Sequence, residues 1–225
     1  MITMEKYINH FKQITDKFED LDNKINRKLN LYLIGGAVLL YNDLKGGTKD
    51  IDLVVTSKKD KELLARTLEK DNFIIEKPGK SYSKMNLEKI LVKDNYRIDI
   101  FDIIVCGKLF LSENMIKRAK LIKEYKNINL FGCSVEDVFV FKSITERDGD
   151  VDDCYSIATY KIDWSIIFNE IKYQIQESEQ GVWITWFEER LNLLEDRKIV
   201  IPIIKDIRKL SLEYYNKLEN KLKKK

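Results

Sequence analysis

Histidine is almost missing from this chain: His10 is the only one in 225 residues. Its scarcity excludes Ser-His-Asp triads, Cys-His nucleophile pairs, HExxH zinc sites and most histidine general-base schemes, unless His10 acts alone. His10 also falls off the apolar stripe of the N-terminal helical pattern, where a solvated histidine belongs. Cysteine is sparse as well. Cys106, Cys133 and Cys154 are odd in number and widely spaced, which fits neither a disulfide framework nor a zinc-ligand pattern. Three small buried hydrophobes in a reducing cytoplasm are expected instead. No apolar run approaches the roughly 18–20 residues that cross a bilayer. The longest stretch without charged or strongly polar side chains is Leu31–Tyr41, and two glycines interrupt it. The N-terminus lacks the basic-then-apolar layout of a signal peptide, so no membrane association is expected. Charge of one sign is lacking too, with 40 basic and 37 acidic residues for a net +3. That whole excess sits in Ser211–Lys225, where five lysines meet two glutamates. Such an end attracts a phosphate backbone, or forms a favourable, solvated helix C-terminus. Catalysis by this chain would have to rest on carboxylates, lysines, hydroxyls or metal.

What is present is a globular composition, 44% hydrophobic and 34% charged, in a length that supports one or two cores. Tyr7, Phe11, Ile14, Phe18 and Leu21 recur at helical spacing. The pattern then predicts a strand over Asn30–Ile34, a helix over Ala37–Leu44, a Lys45–Thr48 turn and a strand over Asp50–Val55. A helix over Lys58–Lys70 follows, then extended Phe73–Glu76 and a Pro78-Gly79 turn. Asn86–Val92 and Tyr96–Ile104 read as hairpin strands. Residues 108–119 read as a helix and Lys120–Leu130 as a short strand pair. Ser134-Val-Glu-Asp137 resembles a capping box, and nearly everything after it has helical spacing. Trp183, Trp186, Phe187, Leu191 and Leu194 share one face, and Pro202 stands near the start of a last helix. The expectation is a mixed α/β (α+β) sheet domain over residues 1–133 followed by a helical domain over 134–225.

The informative stretch runs from Leu31 to Val55. An apolar strand breaks at Gly35-Gly36, a short helical pattern follows, and the next strand opens with Asp50-Ile-Asp52. Strand period places Asp50 and Asp52 on one face and Ile51 and Leu53 on the other. Carboxylates so placed would lie roughly 6–7 Å apart and repel by about 2 kcal/mol at an effective dielectric near 20. A divalent cation offsets that repulsion. The glycine pair lets backbone approach a ligand and leaves helix N–H groups for phosphate oxygens.

This combination resembles the DNA polymerase β-type nucleotidyltransferase superfamily. Its signature is an apolar residue, Gly-Gly or Gly-Ser, about nine to thirteen residues, Asp-x-Asp between apolar residues, and a third acid on another strand. Thirteen residues separate Gly36 from Asp50. Asp99, in Arg97-Ile-Asp99-Ile-Phe101, matches the third acid. Asp102 is its rival but falls on the opposite strand face. Thr48 matches a frequent Thr or Ser of stand-alone members. Val138-Phe-Val-Phe-Lys142 followed by Arg147-Asp-Gly-Asp150-Val-Asp-Asp153 is similar to later motifs of the branch that includes abortive-infection type IV toxins.

The resemblance implies a nucleotidyltransferase-like mixed sheet flanked by helices. It also implies an enzyme that moves NMP from an NTP to a hydroxyl with two Mg²⁺ ions held by Asp50, Asp52 and Asp99. Gly35, Gly36, Thr48 and Lys142 would bind the nucleotide. RNA, particularly tRNA, is the implied acceptor, with a cognate antitoxin as partner and the cytoplasm as location. Nucleotidylation of a protein or of a small, aminoglycoside-type molecule stays open. So does a non-catalytic nucleotide- or RNA-binding, partner-neutralising protein of the same fold, although retention of all three carboxylates speaks against it. Lys142 stands alone in an apolar helical stretch, and a buried ammonium needs a partner. A triphosphate oxygen or Glu146 would serve. In the first case Lys142→Ala weakens nucleotide binding and hardly changes folding. Arg147, Asp150 and Asp153 read equally as a loop and a helix N-terminus.

Overall fold

The computed structural model describes residues 7–76, 90–145, 147–178 and 181–223. The expected Pro78-Gly79 turn, the start of a strand at Asn86, and Glu146 lie outside the described residues. The chain divides into two compact units, Met1–Ser134 and Val135–Lys225.

The first unit is built on a seven-stranded mixed sheet. Helix α1 (Phe11–Asp22) buries Ile14, Phe18 and Leu21 at the spacing of one helix face. Strand β1 (Leu29–Ile34) runs directly into α2 (Gly35–Tyr41). That helix ends earlier than its apolar pattern suggests, because the Asn42 side chain donates to the Val38 carbonyl (2.8 Å) and Asp43 adopts φ 57°. Strand β2 (Ile51–Val54) and helix α3 (Lys58–Lys70) follow, with the Ser57 hydroxyl accepting from the Asp60 N–H at the helix start. Next come β3 (Ile74–Glu76), β4 (Ile90–Lys93) and β5 (Tyr96–Phe101). Lys93 pairs with Tyr96 across the two-residue turn Asp94-Asn95, where Asp94 has φ 54°, as tight hairpins of this length require.

Where the sequence predicts a helix over 108–119, the structure has a two-stranded ribbon and a shorter helix. Strands β6 (Ile104–Val105) and β7 (Leu109–Phe110) pair around Cys106 and Gly107, both at positive φ. Helix α4 (Glu113–Arg118) begins only after Ser112, whose hydroxyl accepts from the Met115 N–H. Strands β8 (Lys120–Glu124) and β9 (Ile128–Gly132) complete the main sheet, whose order is β3-β4-β5-β2-β1-β9-β8. Pairs β2/β5 and β1/β9 are parallel and the other four are antiparallel. Register is set by burial: Ile51 pairs with Ile98 and Leu53 with Ile100, all almost fully buried. A one-residue slip of β2 would take Ile51 and Leu53 off that buried face and put Asp52 on it.

The second unit is helical: α5 (Val135–Ser143), α6 (Asp148–Thr159), α7 (Trp164–Glu177), α8 (Trp183–Asp196) and α9 (Ile204–Leu222). Phe139 of α5 meets Trp164 and Phe187 edge-on, at centroid distances of 5.4 and 6.1 Å. Trp183, Phe187, Leu191 and Leu194 of α8 are buried as one face, with Trp186 at its margin. No described helix is long and apolar enough to cross a membrane.

Candidate active site

The site begins with strand order. Parallel pairing of β2 and β5 sets Asp52 directly beside Asp99, and strand period puts Asp50 on the same face two residues earlier. One carboxylate oxygen from each of Asp50, Asp52 and Asp99 lies within 4.8 Å of the others. Asp50 and Asp52 are half-buried, and Asp99 is only 2% exposed. At that spacing each pair of ionised oxygens repels by about 3 kcal/mol at an effective dielectric near 20. Three hard carboxylate donors converging on one point match the preference of small divalent cations for oxygen. Asp102, the rival third acid, sits just past β5 and takes the Lys61 ammonium at 3.3 Å.

The turn between β1 and α2 is shaped around these acids. Ile34 pairs with Asp52 across the antiparallel β1/β2 ladder, so Gly35 arrives beside the Asp52 side chain. Gly35 has φ 63°, and a β-carbon built on it would overlap Asp52 Oδ2. A β-carbon on Gly36 would overlap the Thr48 hydroxyl. Both glycines therefore make room for protein side chains of the site itself, a closer constraint than the ligand approach read from the sequence. The residue before the helix is Ile34, whose side chain cannot cap it.

Thr48 is buried, and its hydroxyl donates to the Asp50 carbonyl (3.0 Å) and lies 3.4 Å from Asp50 Oδ1. Its backbone exchanges two hydrogen bonds with Ile8, at 2.8 and 3.0 Å. The turn that delivers Asp50 is thus pinned by the chain's own N-terminal segment, a contact with no signal in the sequence.

Arg97 was also missed by sequence reasoning. Its Nε donates to Asp99 Oδ1 (3.1 Å) and its Nη2 to Oδ2 (3.0 Å), a two-pronged contact between residues two apart on one strand face. The spacing alone was the available signal, since residues i and i+2 of a strand share a face.

Lys142 lies in the second unit and is 6% exposed. Its ammonium reaches Asp150 Oδ1 at 2.6 Å and Asp153 Oδ2 at 2.7 Å. Arg147 and Thr145 also donate to Asp150, and Arg190 Nη2 donates to the Thr145 carbonyl. Burial would push the Asp150 carboxyl up, but the Lys142 and Arg147 charges outweigh it and hold it at about 2. Burial opposes the Lys142 charge too, yet Asp150 and Asp153 together raise its pKa above the ordinary lysine value. The need for a phosphate partner rested on an uncompensated charge. Here two carboxylates compensate it, and the network joins α5 to α6. The expectation that Lys142→Ala hardly changes folding is corrected accordingly, since it would leave both carboxylates without their ammonium.

Solved structures to which the chain shows some likeness include ANT(2'')-Ia in complex with adenylyl-2''-tobramycin. It shares 9% identity and a TM-score of 0.49 over 74% of this chain and 98% of that one. A solution structure of ANT(2'')-Ia, described as an antibiotic-resistance factor, gives 11% identity and 0.46 over 83% and 97%. TM1012 from Thermotoga maritima gives 13% and 0.39 over 57% and 81%. No curated protein matches the sequence. The sequence model of the family Nucleotidyltransferase of unknown function (DUF6036) matches residues 9–192, a span that takes in the three clustered aspartates, the glycine turn, Thr48 and Lys142. With that match over most of its length, the chain belongs to the DUF6036 nucleotidyltransferases, enzymes that take an NTP substrate and a divalent metal.

Proposed function

We propose that this protein transfers NMP from an NTP to a hydroxyl group, with two Mg²⁺ ions held by Asp50, Asp52 and Asp99. The observation that carries the reading is the convergence of three carboxylates within 4.8 Å on one sheet face, beside a glycine turn. When bound, such a pair of ions neutralises the triphosphate and makes the attacking hydroxyl more acidic. Asp50, Asp52 and Asp99 are the residues that would hold these ions, and Asp99 would lie on the hydroxyl side. Asp99 also takes the hydroxyl proton as the acceptor oxygen bonds to the α-phosphorus and the bond to pyrophosphate breaks. Thr48 fixes Asp50 through its hydroxyl and, as the resemblance implies, would stand beside the nucleotide. The backbone N–H groups of Gly35 and Gly36, at the start of α2, would be offered to the triphosphate.

RNA is the acceptor class we favour, with tRNA first. Support comes from the sequence resemblance to the toxin branch and from α9, whose last turns carry Lys217 and Lys221, with Lys223 just past its end. A toxin-like role in the cytoplasm, restrained by a cognate antitoxin, is the setting that goes with it. The test is incubation with each α-labelled NTP, Mg²⁺ and either total RNA, protein extract or aminoglycosides. Label in tRNA supports the reading, and label in protein or a small molecule replaces the acceptor. Absence of label in every arm, at a level equal to Asp52→Asn, would return the chain to a non-catalytic binding role.

A further inference from the structure

Asp99 is the most buried of the three clustered acids, and a buried carboxylate needs a counter-charge. Arg97 supplies one, with both prongs of its guanidinium on both oxygens of Asp99. The side chain of Arg97 remains 23% exposed against 2% for Asp99, so the arginine has solvent beside it while the aspartate does not. The oxygen that Asp99 shares with the Asp50 and Asp52 cluster therefore belongs to a carboxylate already paired with a cation of the protein.

We propose that Arg97 is a built-in competitor of the divalent cation, holding Asp99 until metal arrives and weakening the site's affinity for metal while it does so. The inference rests on the metal-site reading of the aspartate cluster. Two features of the geometry support it. A divalent ion among the three carboxylates would stand within a few ångströms of the guanidinium, and like charges at that distance repel strongly in a half-buried site. The two-pronged contact also engages both carboxylate oxygens, so a metal bond to Asp99 must share or displace one of the prongs. Arginine suits such a part because it stays charged at every working pH and its flat fork fits a carboxylate. An NTP entering with metal brings the negative charge that a released guanidinium would seek. Arg97 thereby makes the empty site stable and reserves tight metal binding for the nucleotide complex.

The test is Mn²⁺ binding by calorimetry and by electron paramagnetic resonance, without nucleotide, on the wild type, Arg97→Met, Arg97→Lys and the Arg97→Met/Asp52→Asn double variant. The proposal expects Arg97→Met to bind Mn²⁺ about tenfold more tightly than the wild type, with Arg97→Lys between them. Thermal unfolding without metal should fall in Arg97→Met and recover on adding Mn²⁺. Equal or weaker Mn²⁺ binding by Arg97→Met would overturn the proposal and make Arg97 an ordinary positioning residue for Asp99. Should Arg97→Met fail to fold, Arg97→Lys decides alone, since it keeps the charge but loses the fork: tighter binding than wild type supports competition, and equal or weaker binding ends it. Arg97→Met binding Mn²⁺ no better than the Arg97→Met/Asp52→Asn double variant, where no competing guanidinium remains, would overturn the metal-site reading itself, and this inference with it.

Discussion

Asp52 Oδ2 fills the space that a side chain at Gly35 would need, and Gly35 holds the left-handed backbone that brings it there. The glycine is thus as much a part of the acid's environment as its neighbours on the sheet. Gly35→Ala should cost about 2–5 kcal/mol, combining the left-handed penalty of about 1–2 kcal/mol with overlap of about 1–3 kcal/mol. Denaturant unfolding of Gly35→Ala, Asp52→Ala and the double variant measures the relationship. Removing Asp52 should relieve at least about 1 kcal/mol of the alanine's cost. Strictly additive losses would show that the overlap is not felt.

Lys142 supplies the second prediction. Removing one member of a buried ion cluster leaves the other charges stranded, which costs about 3–5 kcal/mol. Lys142→Met, which keeps the apolar stem, should therefore destabilise the chain by that amount. NTP affinity measured well below its unfolding temperature should stay near the wild-type value. A stable Lys142→Met with weakened NTP binding would reverse both statements and restore the lysine to the nucleotide.

Acid should strike the same network. Asp150 is held at about 2 against an ordinary 3.8, so its folded-state value is depressed. A depressed carboxylate contributes stability above its unfolded pKa and loses it as pH falls through the folded one. The window is therefore pH 4 down to about 2, and the loss from this group is about 2 kcal/mol. Urea midpoints followed across that window should fall steeply in the wild type and more gently in Asp150→Asn, which starts lower at pH 7.

Cysteine chemistry gives a fourth. Cys106, Cys133 and Cys154 are buried thiols outside any disulfide. Burial pushes the Cys154 thiol up to about 12, despite the Arg190 charge and the contact with Ser143. A thiolate is the reactive form, so Cys154 should resist alkylation in the folded chain at pH 8. Mass spectrometry after brief iodoacetamide treatment should find it unmodified until urea is added. Rapid native labelling at Cys154 would mean that α6 opens readily.

The strands that carry the aspartates were legible because strand period and burial agree there: Ile51 and Leu53 had to go in, so Asp50 and Asp52 had to share the other face. Asp99 was chosen over Asp102 by the same alternation. Less was visible where distant segments decide the outcome. Nothing local in Ile8 announces that it ties down Thr48. The Leu109–Phe110 strand hid inside a helical pattern because its partner lies across a tight positive-φ turn at Cys106-Gly107. Lys142 was seen as a lone charge because its acids come from the next helix, eight and eleven positions on, where spacing along one helix no longer predicts contact.

The parallel pairing of β1 with β9 also sets a timetable. Asn30 and Asn129 touch across that ladder, yet 99 positions separate them. At translation rates of about 5–20 residues per second, about 5–20 s pass between their syntheses. Throughout that interval the Leu-Tyr-Leu-Ile segment of β1 has an open flank, the kind of apolar edge that recruits other strands. Nascent chains stalled before Ile128 should consequently be far stickier than released ones, and this enzyme's yield in a cell should depend on how quickly the ribosome clears that last stretch.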